Sequence, residues 1–258
     1  LDCWLISVGN ELLIGKVINT NASWLAQRLT EMGIKIRRIL SVPDEEGEII
    51  EVIRAGLSKC RIIILTGGLG PTYDDITNIA LAKALNRKLV INPDAFREIE
   101  EKYRAQGLPL TDVRIKMSKM PEGSISLYNP VGTAPGILIE INNKLIVALP
   151  GVPAEMKAIF QEHLLGRLTN YTDSIYLEDR FIVKGIPESK AAPVLRDAYQ
   201  ANPSIYIKSH PKGAEFNIPI LEIHLSTIGK DKEKLKKGLQ ETKEMLIRRL
   251  QDIGGKIE

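Results

Sequence analysis

The chain has 258 residues, 44% of them hydrophobic, with 35 Lys and Arg against 32 Asp and Glu for a formal charge of +3. At roughly 100–200 residues per domain this means one large or two small domains, apolar enough to exclude disorder and too evenly charged for a protein that grips nucleic acid by bulk electrostatics. The longest apolar runs, Ile62–Leu65 and Leu145–Leu149, fall far short of the ~20 residues a membrane helix needs, and no signal peptide is read.

In chain order, Trp4–Val8 reads as a short buried strand. Asn19, Thr20 and Asn21 offer helix caps, and Trp24, Leu25, Ala26, Leu29 and Met32 follow at helical spacing until Gly33 closes the helix. Ile34–Leu40 is the next strand, and Pro43-Asp44 opens a helix with Ile49, Ile50, Ile53 and Leu57 on one face. Arg61–Thr66 is the strongest β run. It precedes a helix from Ile76 to Asn86, a strand at Leu89–Ile91, and a helix from Pro93-Asp94 to near Gly107. Ile137–Ile141 and Lys144–Leu149 flank Asn142-Asn143, a two-residue hairpin turn, and Pro153 starts a helix that runs to Leu168. This alternation predicts an α/β fold, a three-layer α/β/α sandwich with a mostly parallel sheet.

The pattern changes after a linker at Thr169–Asp173. Ser174–Lys184 is a strand, Glu188–Ala201 is helical apart from Pro193, Ser204–Ser209 and Ile218–Ser226 are strands, and Lys230–Leu250 is a charged amphipathic helix. This β-α-β-β-α order predicts a small α+β domain over residues 170–258, after an α/β domain over 1–169. The positive excess lies on the last helix, where acids and bases alternate as on a solvated face. A KH module would need a Gly-x-x-Gly loop, and none occurs after Leu168, so no nucleic-acid partner is expected. Cys3 and Cys60 are too few for a disulfide framework. They read as buried free thiols in a reducing cytoplasm. His163, His210 and His224 have no metal-ligand spacing.

Four loops could carry chemistry. The sharpest is Thr66-Gly67-Gly68-Leu69-Gly70-Pro71-Thr72-Tyr73-Asp74-Asp75-Ile76-Thr77, between a strand and a helix. Its glycines let a ligand approach the backbone, and the helix start offers N–H groups to an anion. A tight turn explains one of the three glycines. Asp74 and Asp75 beside a phosphate would need a divalent cation, or a guanidine-like ligand edge, as counter-charge; alternatively one caps the helix. The second loop, Gly9-Asn10-Glu11 to Gly15, emerges at the same sheet edge, with Glu11 a candidate metal ligand or general base and Asn19 and Asn21 candidate ligand contacts. The third and fourth, Asn129–Gly136 with Gly132, Thr133, Pro135 and Gly136, and Leu149–Met156 with Pro150 and Gly151, suit a rigid ligand rim or simple turns.

These four motifs, in this order over residues 4–168, resemble the amino-terminal part of CinA, the competence/damage-inducible protein, within the molybdopterin-binding superfamily of molybdenum-cofactor biosynthesis. The resemblance implies an α/β/α sandwich and a ligand loop over Thr66–Gly70 and Asp74–Thr77. It also implies an oligomer, and either metal-dependent ADP-ribose pyrophosphatase chemistry or the molybdopterin binding and adenylyl transfer of the cofactor-forming relatives. The separate nicotinamide mononucleotide deamidase domain is not expected in these residues. Two departures stand out: Gly9-Asn10-Glu11 replaces the common Gly-Asp-Glu, and Ile115–Pro121 lacks the common Gln-Ala pattern.

The expected function is therefore binding of a small phosphorylated or pyrophosphate-bearing ligand, with hydrolysis assisted by a divalent metal such as Mg²⁺. In that reading Glu11, Asp74 and Asp75 hold the metal, and Glu11 and Asp75 act catalytically. The alternatives are adenylyl transfer to molybdopterin and a non-catalytic ligand-binding module. A homodimer is expected as well. The strands at Ser174–Lys184 and Ile218–Ser226 should leave an exposed edge, and one face of the first, Tyr176, Glu178, Arg180, Ile182 and Lys184, is more apolar than a fully solvated face needs, opposite Ile175, Leu177, Phe181 and Val183.

Overall fold

The computed structural model describes residues 1–212 and 218–258. The chain divides into two compact units, one of residues 1–30 and 34–172, the other of residues 31–33 and 173–258.

In the first unit, β1 (Asp2–Val8) is followed by a one-turn helix α1 (Asn10–Leu13), α2 (Thr20–Glu31), β2 (Lys35–Val42), α3 (Glu46–Lys59), β3 (Ile62–Thr66) and α4 (Thr77–Ala84). Next come β4 (Leu89–Ile91), α5 (Pro93–Ala105), α6 (Asp112–Ile115), β5 (Lys119–Pro121), β6 (Ile125–Leu127), β7 (Gly136–Ile141), β8 (Lys144–Leu149) and α7 (Pro153–Ile159). The chain of α7 continues through a π turn at Phe160–Leu164 into α8 (Leu165–Thr169), so the helix expected from Pro153 runs its length with one widened turn.

The main sheet has the order β2-β1-β3-β8-β7-β6. β2, β1, β3 and β8 are parallel, and β7 is antiparallel to both its neighbours. Strand alternation sets the layers. Trp4, Ile6, Val8, Ile63, Leu65, Ile146 and Ala148 pack with Ile49 and Ile53 of α3, Ala80, Leu81 and Ala84 of α4, and Ala95 and Ile99 of α5. The alternate residues Leu5, Ile62, Ile64, Leu145 and Val147 are equally buried and face the other way, where α2 and α7 bury Leu25, Leu29, Met156 and Ile159. This is the α/β/α sandwich expected. Asn142 and Asn143 take φ of 49° and 59° in the β7–β8 hairpin, the left-handed pair that such a turn needs. Asn92 caps α5, accepting from the N–H groups of Asp94 and Ala95 with Pro93 at the first helical position.

Boundaries differ where side chains found other partners. Asp44 does not open α3, which starts at Glu46; it accepts the Asn10 N–H at 2.9 Å. α4 begins at Thr77 without a side-chain cap, so neither Asp74 nor Asp75 caps it. The three-residue strands β5 and β6 carry no periodicity of their own. β5 pairs with β4, and β6 adds to the sheet edge through β7.

In the second unit, β9 (Ile175–Lys184), α9 (Glu188–Ala201), β10 (Tyr206–Pro211), β11 (Ile220–Gly229), α10 (Lys232–Asp252) and β12 (Lys256–Ile257) give an antiparallel sheet of order β10-β11-β9-β12. Phe181, Val183, Leu221, Ile223 and Leu225 pack against Ala191, Ala198, Leu239, Leu246 and Leu250 of the two helices. The sheet has the exposed edge expected: β11 is interior, β10 is an edge, and the short strand β12 covers β9 only at Val183 and Lys184. Asp179 shares the phase of Leu177 and Phe181, where it meets Lys243 at 2.8 Å, so that face is not wholly apolar. Among the described residues no helix is long and apolar enough to cross a membrane.

Candidate functional site

Four parallel strands point their C-terminal ends to one edge. The chain leaves β1 toward β2 on one side and enters β3 on the other, so the loops after β1 and β3 diverge and leave a crevice. A cleft of about 540 Å³ lies there, lined by the loops after β1, β2, β3 and β8 and by Thr133 and Ala134.

Its base is a polar row. Ser41, Ser7 and Thr66 are in register across β2, β1 and β3. The Thr66 hydroxyl donates to Ser7 Oγ at 3.3 Å, and Asn19 Nδ2 donates to Ser7 at 2.9 Å and Ser41 at 3.3 Å. The Asn19 carbonyl also accepts the Ala22 N–H, so one side chain both starts α2 and ties it to the strand ends.

Packing accounts for Gly67 and Gly68 of the loop after β3, where sequence accounted for one of its three glycines. Gly67 has φ +96°, and a Cβ there would collide with the Val8 carbonyl oxygen. Gly68 has φ +70° and lies against the Thr77 hydroxyl, while Gly70 lies against the Asp75 carboxylate. Thr77 locks the turn, its hydroxyl donating to the Gly67 carbonyl at 2.8 Å and its N–H to the Gly68 carbonyl at 3.0 Å. Gly67 N–H is bound by the Leu149 carbonyl, but among the described residues the N–H groups of Gly68, Leu69 and Gly70 donate no hydrogen bond. These three donors, at the cleft wall, can receive an anion.

The cleft's charge is negative. Glu11, Asp44, Asp74, Asp75 and Glu155 line it, and no Lys or Arg is among the lining residues. Burial pushes the Asp44 carboxyl up, countered by the Asn10 N–H and reinforced by Glu11, Asp74 and Asp75. The Thr72 hydroxyl holds Asp74 below the ordinary carboxylate range.

Among the described residues no group of three or more His, Cys, Asp or Glu is placed to hold a divalent ion. The expected set of Glu11, Asp74 and Asp75 lines one cleft but is not gathered into a three-carboxylate cation group. Thr72 stands between the two aspartates, its hydroxyl bonding both and its N–H donating to Asp75 Oδ2 at 2.8 Å, while the Glu11 carboxylate lies against Gly9.

Of the other residues expected in the site, Gly9, Asn19, Asn21, Thr66, Gly67, Gly68, Gly70, Pro71, Thr72, Thr133, Pro150 and Gly151 line the cleft together. Asn10, Thr77, Gly132, Pro135 and Gly136 do not. Asn10 offers its N–H to Asp44, Gly132 makes room for Glu155, and Pro135 and Gly136 are buried at the start of β7. Sequence reasoning missed Asp44, Tyr103, Met117 and the apolar Val17, Ile18 and Val152, and gave Glu155 no role. Asp44 had a signal: it follows a parallel strand and so emerges at the same edge as Glu11.

The third loop is positioned from beneath. Asn129 is fully buried and gives Nδ2 to the Ala134 carbonyl and to Glu155 Oε2, both at 2.8 Å, while its Oδ1 accepts from Val131 and Gly132. Lys102 Nζ donates to Glu98 Oε1 at 2.5 Å, to the Gly132 carbonyl at 2.8 Å and to the Asn129 carbonyl, with the Tyr128 ring 4.4 Å away. This knot brings Thr133 and Ala134 to the cleft and aims Glu155.

A family model described as a probable molybdopterin binding domain matches residues 4–170. A protein of Pyrobaculum aerophilum is 48% identical over 95% of this chain and 92% of its own length, and one of Saccharolobus solfataricus is 42% identical over 99% and 95%. Among solved structures, CinA of Thermoplasma acidophilum, described there as of unknown function, is 40% identical with a TM-score of 0.59, covering 62% of this chain and 94% of that one. The matched family is described by molybdopterin and not by pyrophosphate hydrolysis, so the ADP-ribose reading gives way to the pterin alternative.

Proposed function

The chain belongs to the family of probable molybdopterin-binding domains, in its CinA-like branch, and we propose that the cleft over β1, β3 and β8 binds a phosphorylated pterin of the molybdopterin type. The observation that carries this reading is the pairing of three backbone N–H groups that donate no hydrogen bond with five carboxylates along one cleft that no Lys or Arg lines. A bare anion would be repelled by the five acids. A pterin brings both counterparts, a phosphate for the N–H groups of Gly68, Leu69 and Gly70, and a 2-amino-4-oxo edge whose adjacent N–H donors suit a carboxylate. Thr66, Ser7 and Asn19 fix the strand ends beneath the ligand, and no step through a protein-held metal is needed for binding.

Calorimetry of the purified chain with molybdopterin and with ADP-ribose, each with and without EDTA, tests the proposal. Micromolar binding of the pterin that survives EDTA, and tighter than that of ADP-ribose, is expected. ADP-ribose binding tighter than the pterin overturns it.

A further inference from the structure

The cleft rim displays apolar side chains that the fold does not use. Ile18 is 83% exposed, Val17 50% and Val152 53%, and all three line the cleft. The segment carrying Ile18 is fixed. The N–H groups of Lys16 and Val17 donate to the Glu11 carbonyl at 3.1 and 3.2 Å, the Thr20 N–H donates to the Ile18 carbonyl at 2.7 Å, and Asn19 is bound to Ser7. An isoleucine held in water by an anchored backbone forgoes burial that a ligand can restore.

The next loop is fastened to it. Asn21 Nδ2 donates to the Gly151 carbonyl at 2.7 Å, so Ile18 and Val152 flank one hydrogen bond. A carbonyl oxygen only accepts, so the amide nitrogen of Asn21 must face Gly151 and the amide oxygen must turn away. That Oδ1 is buried and has no hydrogen-bond partner among the described residues.

We propose that this lip, with Val17 and Ile18 on one side, Val152 on the other and Asn21 between them, holds the heteroaromatic ring of the ligand. The inference rests on the function proposed above and adds where the ring lies and what reads it. The apolar side chains pack on the faces of the ring. Asn21 Oδ1 takes an N–H from its edge when the ligand displaces the Gly151–Val152 side and the Asn21–Gly151 hydrogen bond opens, the Ile18 side staying anchored. The phosphate rests at the Gly68–Gly70 turn. The lip therefore selects uncharged, fused heteroaromatic rings with N–H donors on the edge, a class that includes pterins.

The test uses the full chain and two probes, 6-hydroxymethylpterin phosphate and 2-guanidinoethyl phosphate, which keeps a phosphate and an N–H donor edge but lacks the ring. The double variant Ile18→Ser/Val152→Ser changes exposed side chains, and its thermal melt should match that of the unchanged chain. Its affinity for the pterin phosphate should fall about tenfold or more, on the scale of other apolar-pocket truncations, while 2-guanidinoethyl phosphate binding changes less than about twofold. Equal losses for both probes, or no loss for the pterin phosphate, overturn the lip and leave the proposed function standing, because the unchanged chain still binds the pterin. An unchanged chain that binds neither probe overturns both.

Discussion

Replacing Asn129 with alanine should release the loop that aims Glu155. Asn129 is fully buried and makes four hydrogen bonds through its side chain. The N–H groups of Val131 and Gly132 lie in partly exposed positions and can turn to water, so their loss costs little. The Ala134 carbonyl is in a buried residue and stays unpaired, and Glu155 loses its donor among four other cleft carboxylates. At about 0.5–1.5 kcal/mol for the net hydrogen bond lost by Glu155 and about 1–3 for the orphaned Ala134 carbonyl, the total for Asn129→Ala is about 1.5–4.5 kcal/mol. Both tryptophans, Trp4 and Trp24, lie in the first unit, so their fluorescence in urea reports on it alone. The midpoint should fall with an unchanged slope. Glu155→Gln is the control: its side-chain carbonyl still accepts from Asn129, and it should cost less than about 1 kcal/mol. A loss for Asn129→Ala no larger than that of the control would refute the reasoning.

Gly67→Ala puts a methyl group against the Val8 carbonyl at φ +96° and should cost about 2–4 kcal/mol, whereas Gly15→Ala, at φ +72° with no atom within 4 Å, should cost only the ~1–2 kcal/mol of left-handed strain; equal effects in urea unfolding would contradict this. Asp44 has a raised folded pKa, so the native state takes up its proton at a higher pH than the unfolded chain and the ionised carboxylate opposes folding at neutral pH, a penalty relieved as pH falls through the raised value. Asp44→Asn keeps an acceptor for the Asn10 N–H and should raise Tm at pH 7, with the gain shrinking toward pH 4; a gain that grows at pH 4 contradicts the assignment. Light scattering on the full chain tests the expected homodimer, for which the edge strand β10, with Tyr206 56% exposed, offers a pairing surface; a monomeric mass removes it.

The large-scale architecture was readable because each strand of the sandwich is a short apolar run closed by a turn signal. Gly33, Asn142-Asn143 and Pro93 each announced a backbone geometry that the fold adopts. The three-residue strands β5 and β6 were not readable, since they form only because a partner strand lies beside them. β12 was missed for the same reason. At the cleft, the loops were legible as loops but their side chains were not. Asp74 and Asp75 sit next to each other in sequence, which suggested a shared metal, yet both turn onto Thr72. Asn129 and Lys102 are 27 residues apart and form one knot that no local pattern announces.

The two cysteines carry a practical consequence. Both Cys3 and Cys60 are buried, and burial raises both thiols above their ordinary pKa, so little thiolate is available to attack an electrophile. The folded protein should therefore be nearly silent to maleimide and disulfide reagents. A single cysteine introduced at Tyr73, 92% exposed on the loop after β3 and not itself lining the cleft, would then be the one reactive handle on the folded chain. A fluorophore attached there would report ligand entry directly, and the rate at which ligand slows its attachment would measure occupancy without any knowledge of the chemistry that follows.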